Sequence, residues 1–119
     1  MSIRLKRVYE KPARADGERV LVDRVWPRGV SKAEAAVDRW LKEVAPSKEL
    51  RQWFGHDPGR WDGFKEGYFQ ELQARSEPVA ELAERAREGT VTLVFSAKDT
   101  EHNNAVALRE YLRERYGVE

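Results

Sequence analysis

The sequence predicts an α/β domain built on a small, mostly parallel sheet of about three or four strands flanked by helices. Two observations predict it. Short runs rich in β-branched residues, Val20-Leu21-Val22 and Val91 to Phe95, lack the alternation of a half-exposed strand and read as strands buried on both faces. Between and after them lie amphipathic segments with helix-start and helix-stop residues, so that the chain reads strand, helix, and finally helix, strand, helix. A length of 119 residues fits one domain, taken here as 1–119.

The elements follow in order. Ile3 to Tyr9 alternates weakly through Ile3, Leu5 and Val8 and forms the first expected strand; Arg19 to Trp26 is the second and Val91 to Ser96 the third. The segment between the first two is too short for a helical crossover, and Asp16-Gly17 marks a turn in it. The first strand is therefore either antiparallel to the second or placed at an edge. Ser31-Lys32-Ala33-Glu34 is a capping box, and Ala33, Val37, Trp40, Leu41 and Val44 then share one helical face up to Pro46. Ser47 caps a short helix carrying Leu50, Trp53 and Phe54, stopped by Gly55, with both aromatics read as core. Asp57-Pro58 opens a helix whose stripe is Trp61, Phe64, Tyr68 and Leu72. Ser76 caps the next, which bears Val79, Leu82, Ala83 and Ala86 and ends at Gly89. The last runs from about Thr100 to Tyr116, with Asp99 or Thr100 as its cap, Ala105, Leu108 and Leu112 inward, and Gly117 as its stop.

Composition narrows the function. Lys and Arg total 22 against 21 Asp and Glu, a net charge of +1, which argues against a protein that coats nucleic acid. The absence of cysteine removes disulfides, thiolate catalysis, CxxC zinc sites and iron–sulfur clusters. The first residues are charged where a signal peptide needs an apolar stretch, and the longest mainly apolar run, Gly89 to Ala97, is far shorter than the ~20 residues that span a bilayer. A cytoplasmic protein without a membrane partner is expected.

Ligands of open α/β sheets gather at the carboxyl ends of strands. Two segments occupy such places. Asp23-Arg24-Val25-Trp26-Pro27-Arg28-Gly29 follows the second strand and brackets a stacking face, Trp26, with two guanidinium forks suited to carboxylate or phosphate. The bland alternative is a local Asp23–Arg24 pair, a core Trp26 and a solvated Arg28. Ser96-Ala97-Lys98-Asp99 follows the third strand, and His102-Asn103-Asn104 crowds polar groups into the start of the last helix, where the dipole disfavours a cation and leaves imidazole available as base or ligand. There the alternative is an Asp99 cap with Lys98 and His102 in water. His56, in the turn Gly55-His56-Asp57, could reach the same pocket or simply sit on the surface. No metal-ligand spacing links His56, His102, Asp23 and Asp99, and the chain has no P-loop, GxGxxG or GxSxG, so no metal is expected and a cofactor stays unknown.

Four segments carry a family resemblance. Val20 to Lys32, with its Asp23-Arg24-Val25-Trp26-Pro27-Arg28-Gly29 core, resembles the signature of the small, YeaO-like members of the DUF488 family. Trp40 to Ser47 resembles that family's W-L-K-x-[LIV]-A-P-S, and Leu50 to Pro58 its L-R-x-W-F-G-H-D-P. Val91 to Asp99, followed by His102-Asn103, resembles its strand with A-K-D-x-x-H-N. The similarity runs in order over residues 3–115. It implies a bacterial or archaeal, cytoplasmic, single-domain α/β protein and no particular reaction. Larger relatives place cysteines around the positions of Lys98-Asp99 and His102-Asn103; this chain lacks them, and their thiol or metal chemistry does not carry over.

Three functions follow. The first is a protein that binds or acts on an anionic small molecule, a nucleotide or another phosphorylated metabolite. Arg24, Arg28 and Lys98, with Trp26, Ser96 and Asn103, would hold the ligand, and Asp23, His56, Asp99 and His102 would serve acid–base chemistry. The second is a protein–protein adaptor, drawing on four Trp and four Tyr. The third, disfavoured by the charge balance, is a nucleic-acid-associated module. Monomer and homodimer are both compatible with so small a core.

Overall fold

The computed structural model describes residues 2–119. Strands β1 (Ser2–Arg7), β2 (Glu18–Leu21), β3 (Arg39–Trp40) and β4 (Thr90–Phe95) form one parallel sheet in the order β1-β4-β2-β3. Five α-helices accompany them: α1 (Lys32–Ala35), α2 (Lys48–Phe54), α3 (Trp61–Gln73), α4 (Ser76–Glu88) and α5 (Asn104–Tyr116). The fold is α/β, as expected. β1 takes the edge position and pairs with β4 rather than with its neighbour in sequence, which resolves the choice left by the short first connection.

Side chains alternate across the strands with period two, so the sheet has two different faces. Val20, Val22, Leu93 and Phe95 join Phe54, Phe64, Tyr68, Leu72, Leu82 and Leu108 in the main core, beneath α2 to α5. Leu21 and Val94 point the other way, to Val8 and Ala35, with Trp26, Val37 and Trp40 packed alongside. That second face is covered by loops and the single turn of α1.

The helix expected from Ser31 to Val44 is the main correction. Its capping box forms, with Ser31 accepting from the Glu34 N–H, yet α1 stops at Ala35 and Ala36 turns into the left-handed region at φ 48°. Beyond it, Arg39 and Trp40 pair with Val20 and Leu21, and the Asp38 carboxylate accepts from the Arg19 N–H at 2.8 Å. The apolar spacing that mimicked a helical face divides between the two cores: Val37 and Trp40 go to the second face, Leu41 and Val44 to the first. Sheet pairing has overridden local propensity. Two smaller corrections concern caps and burial. Ser76 is the first residue of α4 and caps nothing; the preceding Arg75 instead donates its guanidinium to the Ala45 carbonyl at 2.6 Å. Trp53 is 47% exposed, with the Arg60 guanidinium over its ring, while Phe54 is core as expected.

The second face hides a charge network. Arg19 is buried on β2 and donates to Asp16 Oδ2 at 2.6 Å and to the Ala35 carbonyl at 2.8 Å. Asp16 also accepts from the Ala13 N–H at 2.9 Å and from Lys6 at 3.2 Å, and its carbonyl accepts from the buried Thr92 hydroxyl. Burial alone would raise the Asp16 pKa; the Ala13 N–H, Lys6 and Arg19 outweigh it and hold the carboxyl below its ordinary value. Next to it, Gly17 has φ 64°, and a Cβ there would lie 2.2 Å from the Thr90 carbonyl oxygen, so only glycine lets β2 approach β4.

Two outcomes are expected. Arg19→Met leaves Asp16 buried with Lys6 as its remaining cation and should cost about 3–5 kcal/mol in urea unfolding; a loss below about 1 kcal/mol would show that the network does not hold the second face together. Because the Asp16 pKa is lower in the folded state, its contribution is complete above the unfolded carboxyl value, near ~3.9, and is lost as pH falls through the folded value. Stability of wild type minus that of Asp16→Asn, followed against pH, should be flat from about pH 7 to 5 and shrink below about pH 4; a difference independent of pH would contradict it.

Candidate functional site

The chain leaving β2 goes on to β3 at one edge, whereas α5, after β4, packs back over β4 and β1. Between the ends of β2 and β4 the connections part, and a crevice opens where α/β sheets bind ligands. Asp23 closes its base. Its Oδ2 accepts from the Ser96 N–H at 3.0 Å and the Ser96 hydroxyl at 2.7 Å, and its Oδ1 accepts from the Asn104 amide at 3.1 Å. The same amide donates to the Val22 carbonyl at 2.9 Å, and the Trp40 indole N–H donates to the Asp23 carbonyl at 2.7 Å. One carboxylate thus ties together two strand ends and the start of α5.

Above this bracket lies a pocket of about 410 Å³. Phe54, Phe64 and Ala97 give it apolar surface. Lys48, Arg51 and Gln52, spaced to share one face of α2, form a wall with Arg24. His56 and His102 contribute imidazoles. His56 takes a left-handed conformation at φ 57°, directly after Gly55 at φ 55°, a geometry that costs a non-glycine residue roughly 1–3 kcal/mol. Among the described residues, Arg24, Lys48 and Arg51 make no ion pair with a carboxylate. The one carboxylate lining the pocket is Asp23, and both its oxygens are already accepting. A second hollow, of about 770 Å³, lies beyond Arg24, where Glu43 and Glu77 leave a smaller excess over its three cations, Arg24, Lys42 and Arg75.

Of the residues singled out in the sequence, Asp23, Arg24, His56, Ser96, His102 and Asn103 line the pocket. Asp99 stands behind His102: its Oδ2 lies 3.0 Å from His102 Nδ1, while Oδ1 accepts from the Glu101 and His102 N–H groups. The Glu101 N–H bond and, against the opposing effect of burial, the His102 contacts hold the Asp99 pKa below its ordinary value. Asp99 does not cap α5; Asn103 does, its side chain accepting from the Val106 N–H at 3.0 Å. Trp26 lies outside the pocket. Its indole donates to the Val30 carbonyl at 2.7 Å, and its ring meets Trp40 edge-on at 5.4 Å in the second core. Arg28 and Lys98 are exposed and do not line the pocket. Lys48, Arg51 and Gln52 were missed: their spacing on a Ser47-capped helix was visible, but it reads equally as a solvated face. No cluster of three or more His, Cys, Asp or Glu side chains among the described residues is placed to hold a metal ion, and no helix there is long and apolar enough to cross a membrane.

The family model of the inactive DUF488-N3 subclade matches residues 2–119. The chain belongs to that DUF488 subclade. It is 42% identical over 113 residues to the uncharacterised protein YeaO of Escherichia coli K12, covering 95% of this chain and 98% of YeaO. The uncharacterised proteins Mb3100c of Mycobacterium bovis and Rv3073c of Mycobacterium tuberculosis H37Rv show the same identity over 95% of both chains. No solved structure matches. The segments that carried the DUF488 resemblance supply both halves of the bracket, Asp23 after β2 and Ser96 after β4, and the wall residues Arg51 and His56. In this DUF488 protein, Asn103→Ala removes the cap of α5 and should cost about 1 kcal/mol, a fall of a few degrees in Tm by calorimetry. An unchanged Tm would assign the cap elsewhere.

Proposed function

We propose that this protein binds a small phosphorylated anion, a nucleotide or another phosphorylated metabolite, in the pocket at the ends of β2 and β4, and holds it without turning it over. One observation carries the reading: three cations, Arg24, Lys48 and Arg51, face a pocket with a single carboxylate, Asp23, which already accepts three hydrogen bonds from Ser96 and Asn104. An anion there gains charge-assisted hydrogen bonds from Lys48, Arg51 and the terminal nitrogens of Arg24, whose Nε alone is engaged among the described residues, at 3.4 Å from the Pro46 carbonyl. The volume of about 410 Å³ suits one small metabolite, near the lower end of the ~300–1,000 Å³ range of ligand pockets. Holding rather than turnover agrees with the description of the subclade as inactive. In this reading Asp23 braces the pocket, Asp99 orients His102, and His56 and His102 contact the ligand.

A thermal-shift screen with AMP, sugar phosphates, inorganic phosphate and a short oligonucleotide tests it. A ligand at 100 times its Kd adds about 2.7 kcal/mol to stability, which is several degrees in a domain of this size. Arg51→Ala and Arg24→Ala should each reduce the shift while leaving the unliganded Tm within about 2 °C, since both residues are exposed. No shift with any anion, or a shift that both variants keep, defeats the reading; a shift with the oligonucleotide alone transfers it to nucleic acid.

A further inference from the structure

We infer that the ligand is a phosphate monoester, selected by a single proton shared between its terminal oxygen and His102 Nε2. The inference rests on the anion-binding reading above and goes on to the chemistry of the ligand. Its basis is the fixed state of the His102 ring. The Asp99 carboxylate can only accept, so the 3.0 Å contact places the proton of that bond on Nδ1. Asp99 cannot swing away, because its other oxygen is held by two backbone N–H groups. The Trp61 ring of α3 meets the imidazole at 84° and 5.4 Å, which limits rotation. Nε2 is then the ring nitrogen left for a ligand, in a pocket where the neighbouring charges are Arg24, Lys48 and Arg51, the hydrogen-bonded carboxylate of Asp23 and the second imidazole, His56; on the α3 side, Lys65 sits over Trp61.

Such a nitrogen discriminates between anions. Neutral, it offers a lone pair, which repels any oxygen that carries no hydrogen. Protonated, it donates, and it does so best to the more highly charged anion. A phosphate monoester ionises a second time near pH ~6, so around neutrality it supplies either form. A monoanion with its O–H meeting neutral His102, and a dianion meeting protonated His102, give the same complex, with one proton between nitrogen and oxygen. A sulfate ester or a phosphodiester has no such proton to share and carries one charge less into a site with three cations.

The test pairs two probes of one shape, phenyl phosphate and phenyl sulfate, by calorimetric titration at about pH 7.5 in two buffers of different ionisation heat. Wild type should prefer the phosphate by about tenfold or more and take up close to one proton on binding it. His102→Gln keeps a donor but cannot titrate; it should cut the preference to the residue due to charge alone and abolish the uptake. Arg28→Ala, which lies outside the pocket, should keep both. Equal affinity for the two probes, or preference and uptake that survive in His102→Gln, overturns the inference while leaving the anion site standing. Failure of wild type to bind either probe removes the anion site itself.

Discussion

The buried pair of Arg19 and Asp16 is the constraint on which the rest of this fold hangs. The second face of the sheet has no long helix to cover it. Its coverage comes from loops, and loops need something to hold them down. The Arg19 guanidinium reaches the turn at Asp16 and the end of α1 at once, and the backbone of the same residue is bonded on both sides to Asp38. Three segments that lack much apolar surface of their own are thereby fixed to β2. A hydrophobic residue at this position would fill the space but offer no partner to the Ala35 carbonyl. Here the cost of burying a charge is set against the specification of one loop arrangement over others.

That arrangement matters to the pocket. Four residues after Arg19 the chain delivers Asp23 to the carboxyl ends of β2 and β4, where its carboxylate gathers Ser96 and Asn104. The site divides its polar groups between two tasks. Asp23, Ser96, Asn103, Asn104 and Asp99 are bonded within the protein and give the pocket its shape. Lys48, Arg51, the terminal nitrogens of Arg24 and the outer nitrogen of His102 are left for something else. A preorganised frame with free cations on it loses little order when a ligand arrives.

Much of the fold was readable because its signals are local. The Ser47 and Ser31 caps, the Asp57-Pro58 start and the β-branched run of β4 each specify their own geometry within a few residues. What failed were features settled by distant partners. Val37, Trp40, Leu41 and Val44 have helical spacing, and nothing near them says that β2 will claim Arg39 and Trp40 as a strand. Asp99 and Asn103 are both competent caps, and the choice depends on where α5 must start so that Ala105 and Leu108 face the core. Six of the ten residues singled out converged because strand ends are where the sequence was searched; Trp26 left the site because its indole found the second core. Arg19 and Asp16 looked like two more surface charges in a sequence that is 36% charged, and only tertiary contact reveals them.

The strand order has a consequence for how the protein is made. β4 lies between β1 and β2, yet it is the last strand in the chain, and Ser2 finds its partner Thr90 88 residues away. During synthesis the sheet therefore has no middle until β4 has left the ribosome. Before that, β1 and β2 have no shared neighbour to pair with, and α1 to α4, which emerge between β2 and β4, have no complete floor. Parallel contacts of such long range close slowly. Folding of this domain is a late event in translation, and a chain interrupted anywhere before β4 is left without its centre.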